Sequence, residues 1–486
     1  MSRLKNKLKV YSLDHLKPEV VAVAFAKCSR SPESFKKIAD ELTDEKSSDF
    51  HEKWVVGYGH SSVAEHATLH LAIENVSILA TKIIEDNRLG SYTEKSTRYQ
   101  VFDRNKYYKP ETIIKSKYGR EYTKTMDQIY DTYTRLHHPM NQYITSNYPK
   151  KKNQTDKLYQ VITKARVCDN LRYLLPTATL TNLGMTANAR TWEHAIVKLS
   201  SHPLTEARHI GLAIKKAALE ITPTLIKFAD KNNYIQKTNQ ELEKIEYKIK
   251  TDKISPSHPV EIVDYDKQAE KKLAACLLYK HSDLPYKQIY SQVKKMNSTQ
   301  IENIIDIALK HRTKYDQPVR EFENIYYTFD ILMDYGAFRD IQRHRMCTQT
   351  NQKVTIVHGY EIPTELKSAG IESDYRRVMD QAASLFFKLS DDYPNEAQYV
   401  VPLAFRKRTL FTWNLRELHH FISLRSTPKG HISYRKIAQA CWQKLNQIQP
   451  LLAKYIRVSM SGGSDSWAST MFNPEYNYMP KHLKKK

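Results

Sequence analysis

Glycine is scarce in this chain, 12 of 486 residues, which argues against a Gly-rich or low-complexity protein. Cysteine is scarce too. Cys28, Cys168, Cys276, Cys347 and Cys441 are scattered, odd in number and form no C-x-x-C pair, which excludes a disulfide framework and the usual zinc spacings and fits reduced thiols. Long apolar runs are missing, since charged residues interrupt each one, so no transmembrane helix is expected. The opening MSRLKNKLKVYSLDHLKPEV has basic residues but no apolar stretch of signal-peptide length, and a cytoplasmic protein is the expectation.

What the chain does have is enough hydrophobic residue, 41%, for packed cores, and a length that predicts two or three domains. Lys and Arg number 76 against 53 Asp and Glu, a formal charge of +23. That excess is compatible with DNA, RNA or phosphorylated small molecules as partners. It fits a solvated lysine-rich surface equally, so charge leaves the partner open. Residues 231–260 turn to mixed charge and end in SPSHP, which reads as a helical charged connector. The expected division is a first domain at 1–230, a linker at 231–260, a second domain at 261–458 and a flexible basic tail at 459–486.

The two sides of that linker repeat one another. LLPTATLTNLGMTANARTWEHAI upstream faces VVPLAFRKRTLFTWNLRELHHFI downstream, and Pro176/Pro402, Thr186/Thr412, Asn188/Asn414, Arg190/Arg416 and His194/His420 share one offset of 226. A domain-sized internal duplication follows, unlike the short periods of solenoids. TLHLAIENV and YYTFDILMD alternate apolar residues as half-buried strands do, and each leads into a helical stretch, SILATKIIEDNR or YGAFRDIQRHR. Each helix is expected to end in a polar triplet, Asp86-Asn87-Arg88 or Arg343-His344-Arg345. From triplet to proline the first half is longer by about thirty residues, an insertion or deletion between the copies.

Three neighbouring cationic or near-cationic side chains, Arg343, His344 and Arg345, repel one another, so an anion is expected beside them. Cations in a helix's last turn also complement its dipole, but three in a row exceed what capping requires. Upstream, Glu94, Ser96 and Arg98 alternate; in an extended segment they would share a face, and a hydroxyl beside a guanidinium suits a phosphate. The stretch GYGHSSVAEHATLH offers His60, Glu65, His66 and His70, yet in no metal-ligand spacing. Ser62 and Glu65 fit a capping box equally well. SGGSDS at 461–466 matches a phosphate loop as a string, but the strand and helix such a loop requires have no room around it.

Taken in order, GHSSVAEHATLHLAIENVS, DNRLGSYTEKSTRY and RYLLPTATLTNLGMTANAR resemble the flavin-dependent thymidylate synthases over about residues 55–215. The signature of that family is an Arg-His-Arg triplet running into a segment with serine, glutamate, serine and arginine. The first half here has the segment (Ser91, Glu94, Ser96, Arg98) but Asp86-Asn87-Arg88 as its triplet. The second half has the triplet, with Lys353 and Thr355 in place of serine and arginine. Arg172 matches the arginine before the family's leucine-proline step, where the second half has Gln398. Eleven positions after Asn414 stands Arg425, matching the family's uracil-polarising arginine, while the same count from Asn188 reaches Leu199. The family's glutamine three positions before the triplet is replaced by Ile83 and Asp340.

The resemblance implies an α+β fold of two tandem domains, each a mainly antiparallel sheet flanked by helices. It also implies a reaction: FAD, reduced by NADPH, and methylenetetrahydrofolate convert dUMP to dTMP. Glu94, Ser96, Arg98 and Arg172 would bind the nucleotide, and Arg425 would draw electrons from the uracil, with Arg343, His344 and Arg345 as the remaining catalytic set. Flavin contacts would fall to His60, Ser62, Glu65, Asn188, Arg190, Asn414, Arg416 and His420. A homodimer would reproduce the family's tetramer, with each half supplying what the other has lost. The alternative is a catalytically inactive descendant that binds nucleotide, flavin or RNA.

Overall fold

The computed structural model describes residues 9–53, 61–249 and 258–460. His60 and the SGGSDS string lie outside the described residues. The chain forms two compact units: Met1–Lys95 with Leu180–Asp252, and Ser96–Thr179 with Lys253–Lys486. The cut in space therefore differs from the repeat in sequence, because residues 96–179 of the first copy pack with the second.

Unit 1 carries an antiparallel sheet of β1 (Thr68–Ser77), β2 (Gly90–Glu94) and β3 (Leu180–Asn188) in the order β1-β3-β2. Unit 2 carries β4 (Val260–Tyr265), β5 (Tyr326–Asp334), β6 (Cys347–Asn351) and β7 (Arg406–Asn414) in the order β4-β5-β7-β6. Registers match between the two. Thr68 pairs with Asn188 and Tyr326 with Asn414; Gly90 pairs with Ala187 and Cys347 with Trp413. The duplication is thus one of strand order and register, and β4 is an added edge. One difference is a bulge in β1, where Asn75 adopts φ 55, a conformation asparagine tolerates better than most residues.

Both sheets obey the expected alternation: Leu69 and Ile73 in β1, and Tyr327, Phe329, Ile331 and Met333 in β5, are buried. After β1 the Ser77 hydroxyl accepts from Ala80 N at 3.0 Å and starts the helix Ile78–Ile84. After β5 the Asp334 carboxylate accepts from Ala337 N at 2.8 Å and starts Tyr335–Ile341. Side-chain caps of this kind satisfy the free amides of a helix's first turn. That second helix stops at Ile341, so Arg343-His344-Arg345 lies beyond it, in the connection to β6, and not in a last helical turn. Helix-dipole complementation therefore does not account for the triplet.

Within unit 2 the two copies meet about a pseudo-twofold point. Pro176 bridges Pro402, its own counterpart. Ala404 N donates to Tyr173 O at 3.1 Å, and Ala178 N to Tyr399 O at 3.1 Å, the same contact with the partners exchanged. The helices Gly119–Asn147 and Glu372–Ser390 repeat the device: Lys388 pairs with Glu121 at 2.6 Å and Arg135 with Asp374 at 2.8 Å, positions related by an offset of 253. Tyr122 OH donates to Tyr108 O and Tyr375 OH to Glu361 O, both at 2.7 Å, at the same offset. The first copy's additional length thus falls largely in the helix Asp156–Leu171, which precedes the return to an offset of 226.

Candidate functional site

In unit 2 the segment after β2 approaches the helices that follow β5 and β7. β2 ends at Glu94, and the alternation of Glu94, Ser96 and Arg98 does not continue past it. A turn begins instead, in which the Ser96 hydroxyl accepts from Arg98 N at 3.2 Å, the local competition with strand pairing that serine favours. The turn brings Thr97 within 3.1 Å of Arg339 Nη1. It also aims Arg98 at the Asp156–Leu171 helix, where Nε and Nη2 donate to the two carboxylate oxygens of Asp169 at 2.7 and 2.8 Å. Burial opposes the Arg98 charge, but Asp169 outweighs it and the net direction of its pKa is upward.

Arg172 is the deepest cation, 2% exposed. Its Nη1 lies 3.7 Å from Asp340 Oδ2, while Nε and Nη2 are buried without a hydrogen-bond partner among the described residues. Buried guanidinium nitrogens left unpaired are costly, of order 1–3 kcal/mol each, so their retention calls for an explanation. Space for them is kept by Gly336, where an added Cβ would stand 3.2 Å from Arg172 Nη2 and 3.0 Å from Asp334 Oδ1.

Arg425, at the end of the helix Leu415–Arg425, completes the cluster. Its Nη1 is 4.0 Å from Asp340 Oδ1 and its guanidinium lies 5.3 Å from the centre of the Tyr434 ring. The Tyr434 hydroxyl accepts from Arg98 Nη1 at 3.4 Å. Asp340 is thus shared by several cations. Burial would raise its pKa, but Arg172, Arg343, Arg425 and Arg339 together pull it below the usual carboxylate range. Even with Asp334 also beside Arg172, two carboxylates cannot balance four guanidinium groups. At an effective dielectric near 20, like charges ~6 Å apart repel by about 3 kcal/mol, and an additional anion would relieve that repulsion.

The triplet splits three ways: Arg343 is exposed, His344 buried and Arg345 half-buried. His344 accepts at Nε2 from Arg425 Nε at 2.9 Å, and its Nδ1 lies 2.9 Å from Glu417 Oε1. Burial, with Arg425 and His420 nearby, holds the imidazole pKa well below its ordinary value. Burial also pushes the Glu417 carboxyl up to about 7. Cys347, just downstream, donates its thiol to His344 O at 2.9 Å.

Of the residues expected at a flavin, Asn188, Asn414, Arg190, Arg416 and Glu65 also make structural contacts. Asn188 Oδ1 accepts from Thr191 N at 2.9 Å and Asn414 Oδ1 from Glu417 N at 2.8 Å, each capping the helix after its strand. Arg190 pairs with Glu65, while Arg416 pairs with Glu323 at 2.8 Å and donates to Pro318 O. These are one contact repeated, tying the capped helix to the 3-10 turn that precedes β1 or β5. Ser62 is exposed, and His420 Nδ1 lies 3.3 Å from Gln317 Nε2. Glu94, in unit 1, is buried in an ion pair with Lys82 at 2.9 Å and accepts from Thr81.

Asp169, Glu417 and Tyr434 escaped the sequence reading. Asp169 sits in the unrepeated helix, and Glu417 has Thr191 as its counterpart, so the repeat flagged neither. A separate cleft of about 630 Å³ in unit 2 is lined by Arg104, Arg120, Lys124, Asp127 and Asp131. Its Arg104 already pairs with both aspartates. Among the described residues no group of three His, Cys, Asp or Glu is placed to hold a metal, and no helix is long and apolar enough to cross a membrane.

Comparison with known proteins bears on the whole chain. The family model described as "Thymidylate synthase complementing protein" matches residues 12–224 and again 261–451. A UPF0159 protein of Chlamydia pneumoniae is 33% identical over 485 residues, covering 92% of this chain and 91% of its own. A UPF0159 protein of Thermoplasma acidophilum is 29% identical over 463 residues, 87% of this chain and 91% of its own. A flavin-dependent thymidylate synthase of Clostridium tetani is 27% identical over 217 residues, 44% of this chain and 82% of its own. Two family matches in one chain, set on two sheets of equal strand order and register, make this protein a tandem two-domain member of the thymidylate synthase complementing family, within the flavin-dependent thymidylate synthase superfamily.

Proposed function

We propose that unit 2 binds dUMP at the Arg98–Arg172–Arg425 cluster and that the chain is a cytoplasmic thymidylate synthase using FAD, NADPH and methylenetetrahydrofolate. The observation that carries this reading is Arg172, fully buried with two nitrogens unpartnered in a cluster whose cations outnumber its carboxylates. A phosphate offers two acceptor oxygens to the planar fork of such a guanidinium. Arg98 is held by Asp169 and is thereby oriented before any ligand arrives. Arg425 is the cation placed to stabilise negative charge developing on a uracil carbonyl, which activates C5 without a protein nucleophile. Bound flavin would supply the redox chemistry.

Asn188, Asn414, Arg190 and Arg416 are engaged in caps and ion pairs, and exposed Arg343 and half-buried Arg345 are the cations that adjoin His344 in sequence. An assembly of two chains is part of the same reading. A nucleotide-binding protein without chemistry is the second reading, favoured by Asp340, whose carboxylate stands where the family has a neutral glutamine.

The test is the visible spectrum of purified protein with FAD, before and after dUMP, followed by an assay for dTMP. Flavin bands that shift on adding dUMP, with dTMP formed only when folate and NADPH are present, are expected. A protein that binds dUMP but neither binds FAD nor forms dTMP would establish the second reading. One that binds neither would remove both.

A further inference from the structure

His344 makes two hydrogen bonds that together determine where its proton sits. The Arg425 Nε–H can only donate, so His344 Nε2, 2.9 Å away, must be an acceptor. A neutral imidazole then carries its proton on Nδ1, which faces Glu417 Oε1 at 2.9 Å. His344 is 4% exposed and its ring packs against Phe421 and His420, with ring centres 5.1 and 5.3 Å away.

We propose that Glu417 is a positioning residue for the nucleotide site: by accepting from Nδ1 it fixes the His344 proton, which keeps Nε2 free to hold Arg425. If the proton moved to Nε2, two N–H groups would face one another and Arg425 would swing off the geometry that places it beside Asp340 and over Tyr434. A carboxylate behind an imidazole commonly sets tautomer and ring orientation in this way. The other copy supports the assignment. At the equivalent positions of unit 1 stand Thr191, Asn87 and Leu199, and Asn87 donates to Ile84 O. Where the arginine is missing, the histidine and the carboxylate are missing with it, as expected of groups that work as a set.

This inference rests on unit 2 being the nucleotide site, so its test has one arm that needs no nucleotide. Ligand-free, full-length protein labelled with 15N-histidine should show a His344 ring with Nδ1 protonated and Nε2 bare, the signal being assigned by its loss in His344→Gln. In Glu417→Thr, which installs the residue the other copy uses, that pattern should change; Glu417→Gln, whose amide oxygen still accepts, should keep it. A wild-type His344 protonated at Nε2, or a pattern unchanged in Glu417→Thr, overturns the proposal. In the second arm, dUMP affinity should fall about tenfold in Glu417→Thr, stay within about twofold in Glu417→Gln, and be no weaker in Glu417→Thr/Arg425→Ala than in Arg425→Ala alone, since the two residues act as one path. Additive losses would show that Glu417 does not work through Arg425. Wild-type protein that shows the expected tautomer and binds no dUMP would remove the nucleotide reading and leave the hydrogen-bond relay standing.

Discussion

Arg172 is the residue on which the site turns, and its neighbours show why. Gly336 leaves room beside it and Asp340 balances only part of its charge. Substitution by alanine is expected to weaken dUMP binding at least about a hundredfold, and lysine should not rescue it, because an ammonium cannot offer a planar fork; calorimetric titration of the three proteins checks this. Asp334 gives a pH signature. Burial raises its carboxyl to about 6 from 3.8, so the folded protein holds that proton more tightly than the unfolded chain does. The resulting stability is fully present below about pH 4 and lost as pH rises through 6, a change of up to about 3 kcal/mol. An asparagine at this position could still cap the helix through its amide oxygen. Urea unfolding of Asp334→Asn should therefore lack this component, and its stability relative to wild type should improve between pH 4 and 7.

At the scale of elements, the repeat in sequence marked the structural joints well. Asn188 and Asn414 recur because each caps the helix that leaves its sheet, and Arg190 and Arg416 recur because each ties that helix to the turn before the first strand. Replacing either asparagine by alanine should cost about 1 kcal/mol in chemical denaturation. The Asn414 change should also weaken dUMP binding, because its side chain holds the backbone of Glu417. The arginine pairs are more exposed, and their loss should cost no more than about 1 kcal/mol. Those contacts account for the recurrence by themselves, since recurrence serves helix capping as readily as ligand binding. Ser96 shows a related limit: alternation of residue types implies one face only while the strand continues, and β2 ends at Glu94, with the Ser96 hydroxyl accepting from Arg98 N in the turn beyond it.

At the scale of the molecule, the cations have been lost unevenly from the two copies. Arg98, Arg172 and Arg425 have Thr355, Gln398 and Leu199 as counterparts. Gln398 accepts from Val354 N at 3.0 Å and donates to Asn395 O, and Leu199 is fully buried. One dUMP per chain is therefore expected in equilibrium dialysis, and a stoichiometry of two would show that neutral residues suffice. The pairing of Tyr173–Pro176 with its own counterpart around Pro402 has the form of an isologous contact, here within one chain and free to diverge on either side.

Sequence by itself determined the duplication, the strand–helix order and the identity of the arginines, because these depend on local periodicity and on residue types at a fixed offset. It could not follow the repeat through residues 103–171, where the offset shifts to 253 and an extra helix intervenes. Tertiary structure decided which arginines share a carboxylate, that Asp169 from the extra helix holds Arg98, and that Glu417 stands behind His344. Those are contacts between residues 71 to 168 positions apart or between groups the other copy lacks, and only packing brings such groups within the few ångströms over which charge and hydrogen bonding act.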